Sequence, residues 1–245
     1  MKFVAPAPEF PSTRWSAVLK LREDKAAPAG EKALAELCEM YWYPLYAFAR
    51  RCGQAPHDAE DLTQGFFARL LERQLFAQAD PTRGRLRSFL LGAFKHFMAE
   101  EWRHAGRQKR GGGQTVIPIH LMRSEEVARK ISASNPAADP DSFFDRVWFD
   151  VLLEHALDEL EQEYRQRGRG EVFRRLQEFL AWNRKDGRLA GVARELGMSP
   201  GAARVTVLRM RERFRQLIER QIAETVGSAE EAAVELDYLR RVLGT

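Results

Sequence analysis

Aromatic side chains are interspersed with basic ones along residues 85–110, and such a stretch can bind unpaired nucleic-acid bases. Its aromatic members are Phe89, Phe94, Phe97 and Trp102, and its basic members include Arg85, Lys95, His96, Arg103, Arg107, Lys109 and Arg110. Bases stack on flat aromatic faces, while the phosphate backbone attracts positive charge. The alternative is that most of the aromatic residues are core, which is the role we expect for Phe94 and Phe97.

A second stretch, residues 189–200, predicts two helices joined by a tight turn. Apolar residues recur at the spacing of one buried helix face: Leu189, Val192, Ala193 and Leu196. Gly197 permits a tight turn directly after the first helix. Ser199 is a favoured N-cap, and Pro200 suits the first position of a second helix. Together these features predict a helix-turn-helix, an architecture that many DNA-binding proteins use.

The phase of the second helix predicts which of its sides reads DNA. At 100° per residue the core side holds Ala203, Val207, Met210, Phe214 and Leu217. The candidate DNA contacts lie on the other side, on its flanks and at the cap: Ser199, Arg204, Val205, Thr206, Leu208, Arg209 and Arg211. Apolar side chains suit thymine methyl groups, and arginines suit guanine edges or phosphates. The alternative is a helical hairpin with a basic solvent face.

A third helix is predicted over residues 57–73, and it carries a polar stripe. Its core side is formed by Leu62, Phe66, Phe67, Leu70 and Leu71, and the opposite side by Asp61, Gln64, Gly65, Ala68 and Glu72. Taken alone, the polar side is an ordinary solvated helix face.

Composition narrows the classes of function. The 245 residues include 39 Lys and Arg against 35 Asp and Glu, so the net charge of +4 decides little. The basic residues cluster near 103–110 and 204–220, which suggests two contacts with a polyanion. No apolar run approaches the roughly 18 residues of a membrane span, and we expect a cytoplasmic protein.

We expect neither a metal nor a cofactor, and no catalysis. Two cysteines, Cys38 and Cys52, cannot form a disulfide framework, and with His57 they make a poor zinc site. The sequence has no P-loop and no pattern that pairs a nucleophile with a base. A nucleic-acid-modifying enzyme is therefore a disfavoured reading.

Helical periodicity runs almost throughout, so the predicted fold is all-α, with two helical domains joined by a flexible linker. The predicted helices are 12–23, 31–52, 57–73, 85–106, 143–165, 170–183, 188–196, 200–224 and 229–242. The predicted division is an N-terminal helical domain, a linker, a C-terminal helix-turn-helix domain and a helical tail, at residues 1–113, 114–142, 143–226 and 227–245.

Three segments, in this order, resemble a bacterial RNA polymerase sigma factor of the sigma-70 type and extracytoplasmic-function (ECF) class. They are Asp58–Leu71 (DAEDLTQGFFARLL), Gly84–His96 (GRLRSFLLGAFKH), and the basic tail, linker and helix-turn-helix that follow. The similarity is close over 57–113 and good over 186–220. The resemblance implies a promoter-specificity subunit that binds core polymerase and directs promoter recognition and melting.

The resemblance also implies residue roles. The helix of the polar stripe would dock on the coiled coil of the polymerase's largest subunit through Asp58, Asp61, Gln64, Phe67 and Arg69. The following loop and helix would hold open the −10 promoter element through Arg83, Arg85, Lys95, His96, Arg103, Arg107, Lys109 and Arg110. The helix-turn-helix would read the −35 element. An anti-sigma factor is a further candidate partner, and no membrane contact is expected.

Some features depart from the family pattern. Gly65 stands where family members often carry an acid, and His96 where they often carry Asn. The additional tail has a capping box at Ser228 and Glu231 and an apolar stripe of leucines. We expect the tail to pack on its own domain, with a regulatory clamp as the alternative. The alternative to a sigma factor is a helix-turn-helix transcriptional regulator that is no polymerase subunit.

Overall fold

The computed structural model describes residues 28–72, 85–105, 139–180 and 188–243 of the chain. Over these ranges it is all-α, as predicted, with no strand. The helices are α1 (Pro28–Arg51), α2 (Pro56–Glu72), α3 (Leu86–Ala105), α4 (Pro140–Gln166), α5 (Gly170–Leu176) with a 3₁₀ turn (Gln177–Phe179), α6 (Leu189–Glu195), α7 (Pro200–Ala223) and α8 (Ala229–Leu243). The predicted helix 12–23 and most of the predicted linker lie outside the described residues.

The chain divides into two compact units. Unit 1 comprises Met1–Val151 with Ile222–Thr245, and unit 2 comprises Leu152–Gln221. Both boundaries fall inside helices, whereas the predicted C-terminal domain was a continuous segment, 143–226. The start of α4 belongs to unit 1 because its aromatic residues are buried there: Trp148 stacks on Tyr41 with ring centres 6.3 Å apart.

Helix α4 also begins earlier than the predicted linker end at residue 142. Asp139 is its N-cap, since the Asp139 carboxylate accepts hydrogen bonds from the backbone N–H groups of Asp141 and Ser142 at 3.0 and 3.1 Å. A carboxylate at this position satisfies otherwise unpaired N–H groups and interacts favourably with the helix dipole. Pro140 then occupies the first helical position, where its missing N–H has no cost.

The core of unit 1 is aromatic and holds α2 and α3 against α1. Phe66 of α2 lies edge-on to Phe94 of α3, with ring centres 5.1 Å apart, and Phe48 of α1 also packs on Phe94. Phe94 and Phe97 are both buried, as expected. Burying a side chain of this size stabilises a fold by roughly 1.5–3 kcal/mol. This core therefore fixes which sides of α2 and α3 face outward.

Unit 2 packs α5, α6 and α7 with the second half of α4. Its core includes Leu160, Phe173, Ala203, Met210 and Leu217. The core side predicted for α7 is buried, apart from Phe214, which is half-buried.

The turn between α6 and α7 has the backbone that the sequence predicts. Gly197 has φ of +65°, a conformation that other residues rarely adopt. The next residue, Met198, donates its N–H to the Ala193 carbonyl at 2.8 Å. Ser199 caps α7, since its hydroxyl accepts a hydrogen bond from the N–H of Ala202 at 3.1 Å. The tight turn fixes where α7 begins, and so which residues occupy its first exposed turns.

None of the helices in the described ranges is long and apolar enough to cross a membrane.

Candidate nucleic-acid and polymerase interfaces

The first half of α7 presents two apolar and two basic side chains to solvent. Val205 is 46% exposed and Leu208 is 59% exposed. Arg204 and Arg209 are exposed beside them, and neither forms an ion pair with another described residue. Large exposed apolar groups rimmed by charge are typical of an interaction surface. We name these four residues the α7 face; they are the ones that the helical phase places outward or on its flank.

Two predicted −35 contacts are not on this face. Thr206 is buried, and its hydroxyl donates to the Ala202 carbonyl at 2.9 Å. Arg211 turns back toward its own unit, where Nε and Nη2 donate to the Phe179 carbonyl at 3.1 and 2.7 Å. That carbonyl lies at the end of the 3₁₀ turn, where acceptors lack a helical partner. We therefore remove Thr206 and Arg211 from the candidate DNA contacts, whereas Ser199, which is exposed at the start of α7, stays a candidate in addition to its role as N-cap.

The remaining arginines of α7 are paired with carboxylates. Arg213 donates to Glu163 of α4 through Nε at 3.0 Å and Nη2 at 2.6 Å, and Arg220 pairs with Glu159 of the same helix. The Arg213 hydrogen bonds lower the pKa of the Glu163 carboxyl. Arg215 pairs with Glu212 and Glu219 along α7 itself. The basic cluster at 204–220 is thus divided. Arg204 and Arg209 offer positive charge that no described carboxylate pairs, whereas Arg213, Arg215 and Arg220 form ion pairs within unit 2.

The polar stripe of α2 lies at the surface. Asp58 and Asp61 are exposed, and Gln64 is half-buried, with its amide donating to Glu60 at 3.3 Å. His57 Nδ1 is 3.1 Å from the Asp61 carboxylate. A backbone hydrogen bond and the Asp61 charge raise the pKa of His57. The stripe is an acidic surface, and His57 is a titratable group beside it.

Two predicted polymerase contacts face inward. Phe67 is buried, its ring 5.8 Å from that of Phe66. Arg69 is mostly buried, pairs with Glu100 of α3, and lies with its guanidinium 5.5 Å from the centre of the Phe97 ring. Phe67 belongs to the core side of the α2 helical pattern, and Arg69 is held by α3, so neither is retained as a polymerase contact.

The structure explains why residue 65 is glycine. A Cβ atom there would lie 3.2 Å from Cζ of Phe97, tighter than an ordinary contact. The acid often found at this position in the resembled family would therefore crowd the α3 ring. A side chain at position 65 would thus require the Phe97 ring to move by a few tenths of an ångström.

The outward side of α3 carries His96, Trp102 and Arg103. All three are exposed, Trp102 by 48%. Arg103 Nε donates to the Ala99 carbonyl at 3.1 Å, which holds the guanidinium along the helix. Trp102 was named in the aromatic pattern but was absent from the predicted contact set. The signal that could have found it is its position directly before Arg103, a predicted −10 contact.

Two further predicted −10 cations are already paired with carboxylates. Lys95 Nζ lies 2.6 Å from Asp141 and 5.6 Å from the centre of the Phe48 ring. Arg85 Nε lies 2.7 Å from the Glu235 carboxylate of α8. Arg83, Arg107, Lys109 and Arg110 lie outside the described residues.

Burial lowers the reactivity of the two cysteine thiols. Cys38 and Cys52 are free and half-buried. Burial, with a smaller effect of the Glu39 charge, raises the pKa of Cys38 to about 11. Burial also raises the pKa of Cys52. A raised pKa keeps both groups as neutral thiols, which are poor nucleophiles and poor metal ligands. Among the described residues no cluster of His, Cys, Asp and Glu could hold a metal ion.

A comparison with known protein families matches the part of the chain that carries two of these surfaces. Residues 37–108 match the model of the family Sigma-70 region 2. This part of the chain is therefore similar to Sigma-70 region 2, and the match covers less than a third of the 245 residues. The matched segment runs from Leu37 in α1 beyond the end of α3, so it includes the α2 stripe and the outward side of α3. No curated protein and no solved structure matches the chain.

This domain supports a sigma-70 family sigma factor, a protein that takes part in promoter recognition by RNA polymerase. Sigma factors are initiation factors and not enzymes. The family also binds core RNA polymerase and promoter DNA in general. The match supports the sigma-70 part of the predicted resemblance and overlaps it over residues 57–108.

Proposed function

We propose that this protein is a sigma factor of the ECF class, which binds core RNA polymerase, recognises both elements of a promoter and opens the DNA. The observation that carries the proposal is the α7 face, because it places an exposed basic and apolar surface in unit 2 of a chain whose residues 37–108 match Sigma-70 region 2. Each unit has its own surface, in keeping with two separate promoter contacts.

In the proposed role, unit 2 is a helix-turn-helix module that reads the −35 element. An α-helix fits the major groove, and residues near its N-terminus usually contact the bases. Arg204 and Arg209 would contact guanine edges or phosphates, while Val205 and Leu208 would contact thymine methyl groups. In the second half of α7, Arg213 and Arg220 pair with carboxylates of α4 and so help to hold the module together.

Unit 1 would open and hold the −10 element along the outward side of α3. Capturing an unpaired base on an aromatic ring contributes about 1–3 kcal/mol per base, comparable with the cost of unstacking it. Trp102 supplies an exposed ring, and Arg103 supplies charge for the backbone. His96, beside them on α3, would contribute to base preference.

The acidic stripe of α2 would bind core polymerase. Asp58, Asp61 and Gln64 offer carboxylate and amide groups on a helix whose other side is fixed in the core. A charge-bearing surface of this kind steers association and fixes orientation. The partner surface should therefore be basic, in line with the coiled coil that the resemblance implies.

The test is binding to purified core polymerase, followed by run-off transcription on genomic fragments. The unmodified protein should bind and initiate at discrete promoters. Asp61→Arg should weaken binding at least tenfold, whereas the control Asp158→Arg, at an exposed position of unit 2, should not. Binding to duplex DNA without binding to core polymerase would instead support the transcriptional regulator and refute the sigma factor.

A further inference from the structure

The C-terminal helix α8 buries a carboxylate in unit 1. Glu235 is only 1% exposed, and a charge removed from water in this way must be paired. Its partners come from the start of the α3 segment: one oxygen is 2.7 Å from Arg85 Nε, and the other pairs with Arg87, which is itself 2% exposed. The tail therefore packs within unit 1, against the start of the α3 segment.

A phenol completes this cluster. Tyr238 donates its hydroxyl to Asp145 of α4 at 2.6 Å, and its ring centre is 5.2 Å from the guanidinium carbons of both Arg85 and Arg87. Arg87 also donates to Asp145 at 2.7 Å. Burial and the hydrogen bond to Asp145 raise the pKa of Tyr238 to about 12, so the phenol stays protonated.

The buried part of α8 is small among the residues whose side chains the structure describes. Among its described side chains only Glu235 and Leu239 are buried, while Val234 and the acidic and basic residues on the outer side are exposed. The turn before α8 is held more firmly: Ile222, Thr225 and Val226 are buried. Few apolar groups therefore hold α8, because the hydrophobic gain grows with the apolar area buried, and the ionic cluster is the part of the contact that a competing anion would replace.

We propose that α8 is an internal clamp that competes with nucleic acid for Arg85. The carboxylate of Glu235 occupies the place that a backbone phosphate would take on this guanidinium, which is 30% exposed and so remains within reach of solvent. When the clamp opens, Arg87 keeps its hydrogen bond to Asp145, so the buried Arg87 charge still has a carboxylate partner. The inference rests on the proposed function, since it assigns a regulatory state to the surface that would hold the −10 element.

The clamp makes a measurable prediction for single-stranded DNA. Releasing one cation adds one phosphate contact, which steepens the slope of log K against log salt by about 0.7 and strengthens binding on the order of fivefold at 0.1 M salt. Glu235→Gln in the full chain should show both changes with a fluorescent mixed-sequence oligonucleotide of about 20 nucleotides. The control is Asp237→Asn, the same charge change on the exposed side of α8.

Hydrogen exchange of α8 supplies a second measurement. On addition of the oligonucleotide to the unmodified protein, the amides of α8 should lose protection, because DNA displaces the helix. If Glu235→Gln does not fold, Tyr238→Phe replaces it, since it weakens the docking without removing a buried charge and should strengthen binding about twofold.

Three results would overturn the clamp. They are unchanged DNA affinity in the folded variants, an equal gain in Asp237→Asn, or α8 amides that stay protected while DNA binds. No polymerase is present in this experiment, so its outcome is separate from that of the proposed function. If the protein binds core polymerase but Glu235→Gln does not strengthen DNA binding, only the clamp proposal is refuted. If Glu235→Gln strengthens DNA binding but the protein does not bind core polymerase, only the sigma factor proposal is refuted.

Discussion

The α7 face offers the sharpest test of how the molecule reads duplex DNA. Replacing Arg204 and Arg209 together by alanine removes both of its cations and touches no described ion pair. Neither side chain supports the core, so the free energy of unfolding should change by less than about 0.5 kcal/mol. The loss of DNA affinity can then be assigned to contacts that the two arginines make.

The size of the loss follows from the kind of contact. A bidentate arginine–guanine pair contributes about 1–3 kcal/mol of discrimination, so two such pairs give about 2–6 kcal/mol and a loss of at least about 30-fold. If both arginines contact phosphates instead, the slope of log K against log salt becomes shallower by about 1.8. Titrating a fluorescent −35 duplex at several salt concentrations separates the two cases.

A matched control guards against an effect of net charge alone. Arg165 and Arg215 are both exposed, and each pairs with a carboxylate on its own helix. Replacing these two by alanine removes the same charge from unit 2 and should change DNA affinity less than threefold. An equal loss in this control, or a loss of core polymerase binding in the Arg204→Ala, Arg209→Ala protein, would refute the assignment of the α7 face to the −35 element.

Three further predictions concern stability. Arg211→Ala should lower the free energy of unfolding by about 1.5–3 kcal/mol, measured by urea denaturation, because the Phe179 carbonyl loses two charged donors. Gly65→Ala should give no rise in Tm, because the aromatic ring 3.2 Å from the new Cβ offsets the helix propensity gain of about 1 kcal/mol; a full gain would contradict this packing. Because Arg213 holds the pKa of Glu163 below its usual 4.5, stability from this pair is present above pH 4.5 and lost as the pH falls through the lowered pKa. Glu163→Gln should therefore flatten the acid side of a plot of stability against pH, and an unchanged plot would contradict the pairing.

The helices were predictable from the sequence because their start and stop signals are local. Ser199 and Pro200 mark the beginning of α7, and the glycine before them marks the turn, so the helix begins where expected. The periodicity of apolar residues also gave the phase of α7. Its outward residues, Val205 and Leu208 among them, are exposed as the phase requires.

The partners of long side chains were not predictable in this way. Helical phase tells where a Cβ points, but an arginine can reach several ångströms further and turn back. Arg211 does so to reach a carbonyl 32 positions earlier in the chain, and Arg213 reaches a carboxylate 50 positions earlier. The place where α8 docks depends on Glu235 meeting Arg85 and Arg87, a match between distant segments that no local pattern contains.

The close approach of α2 and α3 at Gly65 has a consequence for evolutionary variation. The space that a side chain at position 65 needs is filled by the ring of Phe97. A chain with this packing can accommodate a large side chain at position 65 or at position 97, but not at both. The two positions should therefore covary among homologous chains, with an acid at the first accompanied by a smaller residue at the second.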